Sequence, residues 1–325
     1  MPEVNMAKAL NMALREEMRR DDSVVLLGED IGKRGGVFLI TEGLYEEFGP
    51  DRVLDTPLSE SGIVGMAIGM ALYGLKPVAE IQFIDFAKMA YDQILNQLAK
   101  IRYRSGGQYE CPVVIRAPCG AGVRGGFYHS QSPEAIYAHT PGLRIVVPSS
   151  PYDAKGLLKT AIRGKDPVIF LEPKLLYRTP REEVPEEDYT IPFGQARVLR
   201  KGDHVTVITY GTTVYECVKA AEEAARFGIE VEVIDLRTLI PLDIETVLTS
   251  VRKTGRAVLV HEAPRTGGFA AELAALLAEK AIEYLAAPIL RVTGPSVPQA
   301  PSSLEELYMP SVPRILRAIQ RVASY

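Results

Sequence analysis

The chain has 325 residues, of which 47% are hydrophobic and 24% are charged, and its formal net charge is −4. This length allows two domains that each bury a core, and the composition is that of an ordinary globular protein. The mild negative charge argues against a surface that binds nucleic acid or an anionic membrane.

Short apolar runs that are typical of strands alternate with helical patterns through the first half of the chain. The predicted strands are residues 24–27, 52–55, 77–82, 113–116, 143–147 and 168–171. The predicted helices between them are residues 5–20, 61–74, 85–104 and 151–163. Short buried strands that alternate with helices indicate a parallel sheet covered on both faces.

The segment 178–189 is rich in proline and charge, has little to bury, and is interpreted as part of an interdomain linker. Beyond it the alternation resumes. The strands there are residues 205–209, 231–235, 257–260 and 289–292, and the helices are 214–227, 244–252, 270–285 and 312–322. We therefore predict an α/β protein in which each domain is a mainly parallel sheet flanked by helices. The predicted ranges are 1–180, a linker at 181–194, and 195–325.

Several familiar motifs are absent or incomplete. Residues 120–125 fit the pattern G-x-G-x-x-G of a dinucleotide site. However, more loop follows instead of a helix, and no acidic residue stands at the required spacing. We therefore interpret this segment as a flexible or close-packed loop. There is no P-loop, zinc pattern or Gly-x-Ser-x-Gly elbow. The three cysteines (Cys111, Cys119 and Cys217) form no Cys-x-x-Cys pair and are interpreted as small buried residues.

The sequence shows no feature of membrane insertion or export. The longest uncharged run, residues 61–75, is too short and too rich in glycine to span a bilayer. The first residues lack the basic and apolar pattern of a signal peptide. We therefore expect a cytoplasmic protein.

Ligands of parallel sheets gather on the loops after the strands, here residues 28–37, 56–60, 83–86 and 118–132. Glu60 ends one of these loops and stands at the entrance of the predicted helix 61–74, which has glycine at positions 62, 65 and 69. Those glycines allow another backbone to come close, so we expect a dry site in which a carboxyl group can keep its proton near neutral pH. The alternative is an ordinary acidic residue in a first helical turn, favoured by the helix dipole.

His129 lies on the last of these loops, just before Ser132, which we interpret as a helix N-cap followed by Pro133. An imidazole there can donate, accept or change its charge near neutral pH. The alternative is a surface residue without a role. Phe86 follows the predicted strand 77–82 and could supply an aromatic wall or pack in the core.

Seven segments, spread over both predicted domains, resemble the segments of a known protein family in the same order along the chain. They are residues 27–30, 55–60, 79–83, 102–107, 128–134, 153–158 and 261–264. In these stretches the chain resembles the beta subunit of thiamine-diphosphate-dependent 2-oxo acid dehydrogenases, of the pyruvate or branched-chain type. The resemblance implies a pyrimidine-binding domain and a C-terminal domain like those of transketolase.

The resemblance also implies roles. Glu60 would hydrogen-bond the aminopyrimidine ring of the cofactor and promote removal of the thiazolium C2 proton. Leu58, Gln82 and Phe86 would line the same pocket, and His129 would serve acyl transfer to lipoamide. Family members also bind a structural potassium ion, largely through carbonyl groups. The corresponding residues here are Val113, Ala161, Ile162, Gly164 and Asp166, the last standing where relatives carry Asn.

The chain contains no Gly-Asp-Gly and no Asn-Asn, the family motif that holds Mg²⁺ and the diphosphate. We therefore expect an alpha subunit to supply that half of the site in an α₂β₂ heterotetramer. The expected reaction is oxidative decarboxylation of a 2-oxo acid with reductive acylation of the lipoyl domain of a dihydrolipoyl acyltransferase core, which would bind the second domain. An acetoin dehydrogenase beta subunit and a non-catalytic scaffold remain alternatives. Phe86 favours the pyruvate type, whereas Leu58 with residues 62–65, 128–134 and 172–178 favours the branched-chain type.

Overall fold

The computed structural model describes residues 2–325. The contacts between Cα atoms divide the chain into two compact units. One unit runs to Cys119 and continues with Ile136–Phe193, and the other consists of Gly120–Ala135 and Gly194–Tyr325. The loop Gly120–Ala135, which the sequence places inside the predicted range 1–180, thus groups with the second unit. The predicted domain ranges themselves stay a prediction.

A parallel sheet forms the centre of the first unit. Up to residue 193 the elements are β1 (Glu3–Asn5), α1 (Met6–Arg20), β2 (Val24–Gly28), α2 (Leu44–Phe48), β3 (Val53–Asp55), α3 (Glu60–Leu72), β4 (Lys76–Glu80), α4 (Ile101–Arg104), β5 (Val114–Cys119), α5 (Glu134–Ala138), β6 (Arg144–Val146), α6 (Pro151–Arg163), β7 (Val168–Pro173) and β8 (Arg181–Glu183). The sheet strands lie in the order β6-β7-β5-β4-β2-β3, and each neighbouring pair is parallel. Strands β2, β5 and β7 are buried along their whole length, as strands covered by helices on both faces must be.

Arg116 on β5 is buried between carboxylates from the two adjacent strands. Its Nε and Nη2 atoms donate to Glu172 on β7 at 2.8 and 2.7 Å, and its Nη1 atom donates to Glu80 on β4. Tyr177 donates its hydroxyl to the same Glu172 carboxylate at 2.6 Å. Burial raises the pKa of Glu80, although the positive charge of Arg116 opposes that rise. The network fixes three neighbouring strands relative to one another.

The segment interpreted as a linker with little to bury packs onto the first unit instead. Strand β8 pairs antiparallel with β1, and Val184 is fully buried. The ring of Tyr189 stacks on Tyr152 with 4.6 Å between centroids. Asp188 forms an ion pair with Lys159, with 2.5 Å between the carboxylate and the ammonium nitrogen. The sequence pattern did not indicate this packing, because the buried anchors are single residues spaced among charged ones.

The stretch 85–104, predicted as one helix, forms a helical region of three types. A 3-10 helix spans Ile84–Ala90, a π-helix spans Asp92–Leu98, and α4 follows. The Ala99 N–H donates to the Ile94 carbonyl at 3.1 Å, which is the spacing of a π-helix. Apolar periodicity predicts a helix here but cannot separate these types over so few turns.

The second unit contains a mixed sheet. Its elements are β9 (Arg197–Arg200), β10 (Val205–Thr209), α7 (Thr213–Ala225), β11 (Val231–Asp235), β12 (Thr238–Ile240), α8 (Ile244–Thr254), β13 (Ala257–Pro264), α9 (Phe269–Ala281), β14 (Leu290–Gly294), α10 (Glu305–Tyr308) and α11 (Val312–Ala323). Five strands lie in the order β14-β13-β10-β11-β9, parallel except for β9. Apolar side chains of α7 and α11 pack with β10 and β11 in one core. The predicted α/β class with mainly parallel sheets is confirmed. Within residues 2–325, no helix combines the length and apolar character needed to cross a membrane.

Candidate functional site

A cavity of about 470 Å³ lies at the carboxyl ends of β2, β3 and β4 in the first unit. The parallel register aligns Gly28 with both Asp55 and Glu80, so the segments that follow these strands start at the same edge of the sheet. The cavity is lined by Glu29, Leu58, Ser59, Glu60, Ser61, Gln82, Phe86 and Met89. The structure therefore brings together all four residues that the family resemblance assigns to the cofactor pocket.

Glu60 is the first residue of α3, and its side chain is half-buried. The N-cap residue Ser59 makes no side-chain capping bond, so the positive end of the helix dipole acts on the Glu60 carboxylate without a competing cap. Ser61 donates its hydroxyl to the carbonyl of Met89. This bond ties the start of the helix to the segment that supplies Phe86 and Met89.

The sequence predicts a dry site beside the glycines of α3, but one face of this helix is exposed within the described residues. Gly62 and Gly69 lie on an exposed face together with Met66 and Tyr73, and the Tyr73 side chain is 91% exposed. A Cβ added at Gly69 would meet no atom within 4 Å. A glycine-rich, uncharged helix has the same sequence pattern whether it packs inside its own chain or against another chain. The pattern alone therefore could not tell that this face stays uncovered within the described residues.

Glu29 is a cavity residue to which the sequence analysis gave no role. It directly follows β2 and faces the same cavity as Glu60. Burial, followed by the negative charges of Asp30 and Glu60, raises the pKa of the Glu29 carboxyl. Its position on a loop after a buried strand was the signal that could have identified it.

The cavity suits a flat heteroaromatic ring with polar edges. Leu58, Phe86 and Met89 offer apolar contact surface, whereas Glu60 and Gln82 offer groups that hydrogen-bond. The Phe86 side chain also packs edge-on against a neighbouring phenylalanine ring, with 5.7 Å between centroids. An aminopyrimidine has this combination of apolar faces and hydrogen-bonding edges, so the residues fit that half of thiamine diphosphate.

His129 belongs to the second unit, on the loop Gly120–Ala135. It directly follows a short 3-10 helix, Gly126–Tyr128, and its side chain is half-buried. Gly125 leaves room for it, because a Cβ at that position would lie 2.9 Å from the Cβ of His129. The glycines of this loop thus serve close packing, as the sequence analysis proposed in place of a dinucleotide site.

The predicted N-cap at Ser132 is wrong, because α5 begins two residues later, at Glu134. The Ser132 hydroxyl donates instead to the carboxylate of Glu262. Glu134 is buried and accepts the Tyr210 hydroxyl at 2.7 Å. Burial raises the pKa of Glu134 to about 7, and the hydrogen bond from Tyr210 opposes that rise.

The residues matched to a potassium site lie in the first unit. Burial alone would raise the pKa of Asp166, but hydrogen bonds from Arg144 and Arg102 hold it below its usual value. The Arg144 Nη2 atom lies 2.6 Å from the Asp166 carboxylate. The Ala161 carbonyl accepts the Gly164 N–H at 3.2 Å. The Asp166 side chain is thus engaged by arginines, and across residues 2–325 no cluster of His, Cys, Asp and Glu could hold a metal ion. Any cation here would depend on carbonyl groups.

Comparisons with known proteins agree with this geometry. The family described as "Transketolase, pyrimidine binding domain" matches residues 2–180, and "Transketolase, C-terminal domain" matches residues 194–315. A solved structure titled "Split gene transketolase, inactive beta4 tetramer" has a TM-score of 0.82, with 24% identity and 99% of each chain covered. This likeness shows the fold.

Two curated relatives come from Bacillus subtilis (strain 168). The chain is 50% identical over 319 residues to "2-oxoisovalerate dehydrogenase subunit beta", and the aligned region covers 98% of both chains. It is 49% identical over 325 residues to "Pyruvate dehydrogenase E1 component subunit beta", which covers 100% of both. Full-length identity of this size, together with both family matches, decides the membership. The chain belongs to the family of transketolase-like beta subunits of 2-oxo acid dehydrogenases.

Proposed function

We propose that this chain supplies the aminopyrimidine half of a thiamine diphosphate site in an enzyme that oxidatively decarboxylates a 2-oxo acid and acylates lipoyl groups. The observation that carries the proposal is the cavity of about 470 Å³ in which Glu60 meets Leu58, Gln82 and Phe86. Two relatives, named for 2-oxoisovalerate and for pyruvate, are 50% and 49% identical to the chain. Identity therefore does not select between a branched-chain 2-oxo acid and pyruvate.

The chemistry assigned to this chain is proton handling and positioning. Thiamine diphosphate, when bound, supplies a thiazolium carbon that adds to the 2-oxo group and stabilises the charge left by the loss of CO₂. Glu60 would hold or release a proton at the edge of the aminopyrimidine ring. Leu58 and Phe86 would pack against the faces of that ring and exclude water from it. Gln82 would fix the ring's orientation through its amide.

The partner that completes the site is proposed to be an alpha subunit, in an α₂β₂ assembly. The sequence lacks Gly-Asp-Gly and Asn-Asn, so Mg²⁺ and the diphosphate would be held by that subunit. The exposed face of α3 begins beside Glu60 and carries Gly62, Met66 and Gly69, followed by Tyr73 just after the helix. Glycines on an exposed helix face allow another backbone to pack closely. Covering this face would also shield Glu60 from water.

His129 is proposed to act in the second half of the reaction. Its ring would donate or accept a proton as the acyl group passes to the lipoyl domain of a dihydrolipoyl acyltransferase core. The C-terminal unit would provide the contact with that core. Both assignments rest on the family resemblance around residues 128–134 and 261–264.

A structural potassium ion and a cytoplasmic location are further proposals. The ion would be held by backbone carbonyls near Ala161 and Asp166, because the Asp166 carboxylate already binds arginines. A higher unfolding temperature in KCl than in NaCl at equal ionic strength would support the ion.

The three cysteines are free and buried, as expected in a reducing compartment, and cell fractionation would test the cytoplasmic location.

The proposed function is tested by co-expressing the chain with an alpha subunit that carries Gly-Asp-Gly and Asn-Asn. Pyruvate, branched-chain 2-oxo acids and acetoin would each be supplied with thiamine diphosphate, Mg²⁺ and a lipoyl domain. We expect turnover of a 2-oxo acid, and loss of at least about a thousandfold in Glu60→Gln, because the amide cannot exchange the proton. The matched control is Glu245→Gln, since Glu245 is an exposed acidic residue in the first turn of α8.

Other results would favour the alternatives. Turnover of acetoin alone would identify an acetoin dehydrogenase. An assembled complex without any turnover would indicate a scaffold chain. Near-normal activity of Glu60→Gln would contradict the role assigned to Glu60, provided that Glu245→Gln behaves like the unmodified enzyme.

A further inference from the structure

Glu262, on β13, ties together both ends of the loop that carries His129. Its Oε1 atom accepts the Ala121 N–H at 3.3 Å and also accepts the hydroxyl of Ser132. Between the same ends of the loop, the Gly120 N–H donates to the Gln131 carbonyl at 3.0 Å. One carboxylate from the sheet of the second unit therefore closes the base of the loop.

The loop sequence is built to let this carboxylate approach. Gly120 has φ = +82°, a conformation that favours glycine, and a Cβ at that position would collide with the Glu262 carboxylate. Glu262 is buried, and a buried carboxylate is costly unless it accepts hydrogen bonds. Bonds to a charged acceptor are also stronger than neutral ones. The loop donors thus stabilise the Glu262 carboxylate, and the carboxylate in turn holds the loop.

Further bonds hold the middle of the same loop. The Arg124 N–H donates to the Oε1 atom of Glu305 at 3.0 Å, and the hydroxyl of Ser302 donates to the Arg124 carbonyl at 2.8 Å. His129 lies between this attachment and the one at Ser132. Its position is therefore set by bonds on both sides of it in the chain.

We propose that Glu262 is a positioning residue that acts through Ser132 to hold His129 where acyl transfer requires it. The inference rests on the role proposed above for His129. Glu262 itself exchanges no proton with the substrate. Its effect follows from geometry, because displacement of a reacting group by about 1 Å can lower a rate by about a hundredfold.

The structural part of this proposal is tested on the complex with the alpha subunit, by hydrogen exchange of the amides of residues 120–132. Ser132→Ala removes one donor to Glu262, and Glu262→Gln removes the charge. We expect exchange about tenfold faster in both variants and normal exchange in Ser132→Thr, which keeps the hydroxyl. The matched control is Ser130→Ala: Ser130 is buried two residues away, and its hydroxyl has no hydrogen-bond partner among residues 2–325.

The functional part is tested by two rates measured on the same variants. One is acylation of a free lipoyl domain, and the other is decarboxylation with an artificial electron acceptor. We expect Ser132→Ala and Glu262→Gln to slow acylation about tenfold or more, with decarboxylation changed less than about twofold. Ser132→Thr should restore acylation. His129→Ala, measured in parallel, should slow acylation at least as much.

The outcomes separate this inference from the role of His129. Unchanged exchange in both Ser132→Ala and Glu262→Gln would overturn the proposal and leave His129 untouched. Faster exchange with normal acylation, while His129→Ala is impaired, would also overturn it. Faster exchange together with a fully active His129→Ala would support the hold on the loop and contradict the role of His129 itself.

Discussion

The protonation of Glu134 bears directly on stability. Burial is the main cause that raises its pKa from 4.5 to about 7, and the nearby charge of Glu262 adds to it. A carboxyl group whose pKa is higher in the folded state than in the unfolded state stabilises the fold at low pH. That contribution is fully present below about pH 4.5 and is lost as the pH rises through about 7.

We therefore expect Glu134→Gln to raise the free energy of unfolding at pH 8 by on the order of 2 kcal/mol and to change it little at pH 5. The amide does not ionise, yet it keeps an oxygen that can accept the Tyr210 hydroxyl. Urea unfolding at both pH values measures the difference. Glu279→Gln, at an exposed position, is the control and should follow the unmodified protein. Equal stability of Glu134→Gln and the unmodified protein at pH 8 would mean that Glu134 does not take up this proton.

At the scale of the elements, Arg116 on β5 and its partners Glu80 and Glu172 hold strands β4, β5 and β7 together. The cavity lies at the carboxyl end of β4, one of these strands. We expect Arg116→Met to lower the free energy of unfolding by about 3–5 kcal/mol, because it leaves Glu80 and Glu172 buried without their counter-charge. Denaturant unfolding of the chain measures this loss. The control is Arg34→Met, which removes an exposed ion pair with Asp30 and should cost less than about 1 kcal/mol. Similar losses in the two variants would contradict the structural role of the network.

Helix α3 allows folding and association to be separated. Gly69→Leu adds a side chain where no atom lies within 4 Å, so the isolated chain should be as stable as before or more stable by about 0.5–1 kcal/mol. Association with the alpha subunit should weaken by about tenfold or more, because the added side chain obstructs close packing. Sedimentation of the chain alone and of its mixture with the alpha subunit measures this change in association. Glu222→Leu, on the exposed side of α7, is the control. Unchanged association of Gly69→Leu would place the alpha subunit elsewhere.

The elements that were predicted from the sequence are those with a strong local pattern. Strands β10 and β11 match their predicted ranges residue for residue, because both are short segments rich in valine and isoleucine, which favour strands. Strands β1 and β8 were missed, since each has only three residues and its partner lies at the other end of the first unit's sequence. The bond from Ser132 to Glu262 spans 130 positions, and no local pattern encodes such a pairing.

At the scale of the whole molecule, the chain presents the pyrimidine half of a cofactor site and lacks the motif for the other half. The cavity residues Leu58, Glu60, Gln82 and Phe86 were predicted as a set by the family resemblance, and the structure places them around one cavity. The exposure of α3 was not predicted, because a glycine-rich, uncharged helix has the same sequence pattern whether its second face is buried or exposed. Both observations lead to the same central claim: Glu60 acts only when a second chain completes the site.

Calorimetric titration of thiamine diphosphate in the presence of Mg²⁺ tests that claim most directly. The titration is performed on the isolated chain and on its complex with the alpha subunit. We predict saturable binding at micromolar or lower concentration for the complex, and no saturable binding in that range for the isolated chain. Glu60→Gln should weaken binding to the complex. Tight, Mg²⁺-dependent binding by the isolated chain would contradict the account.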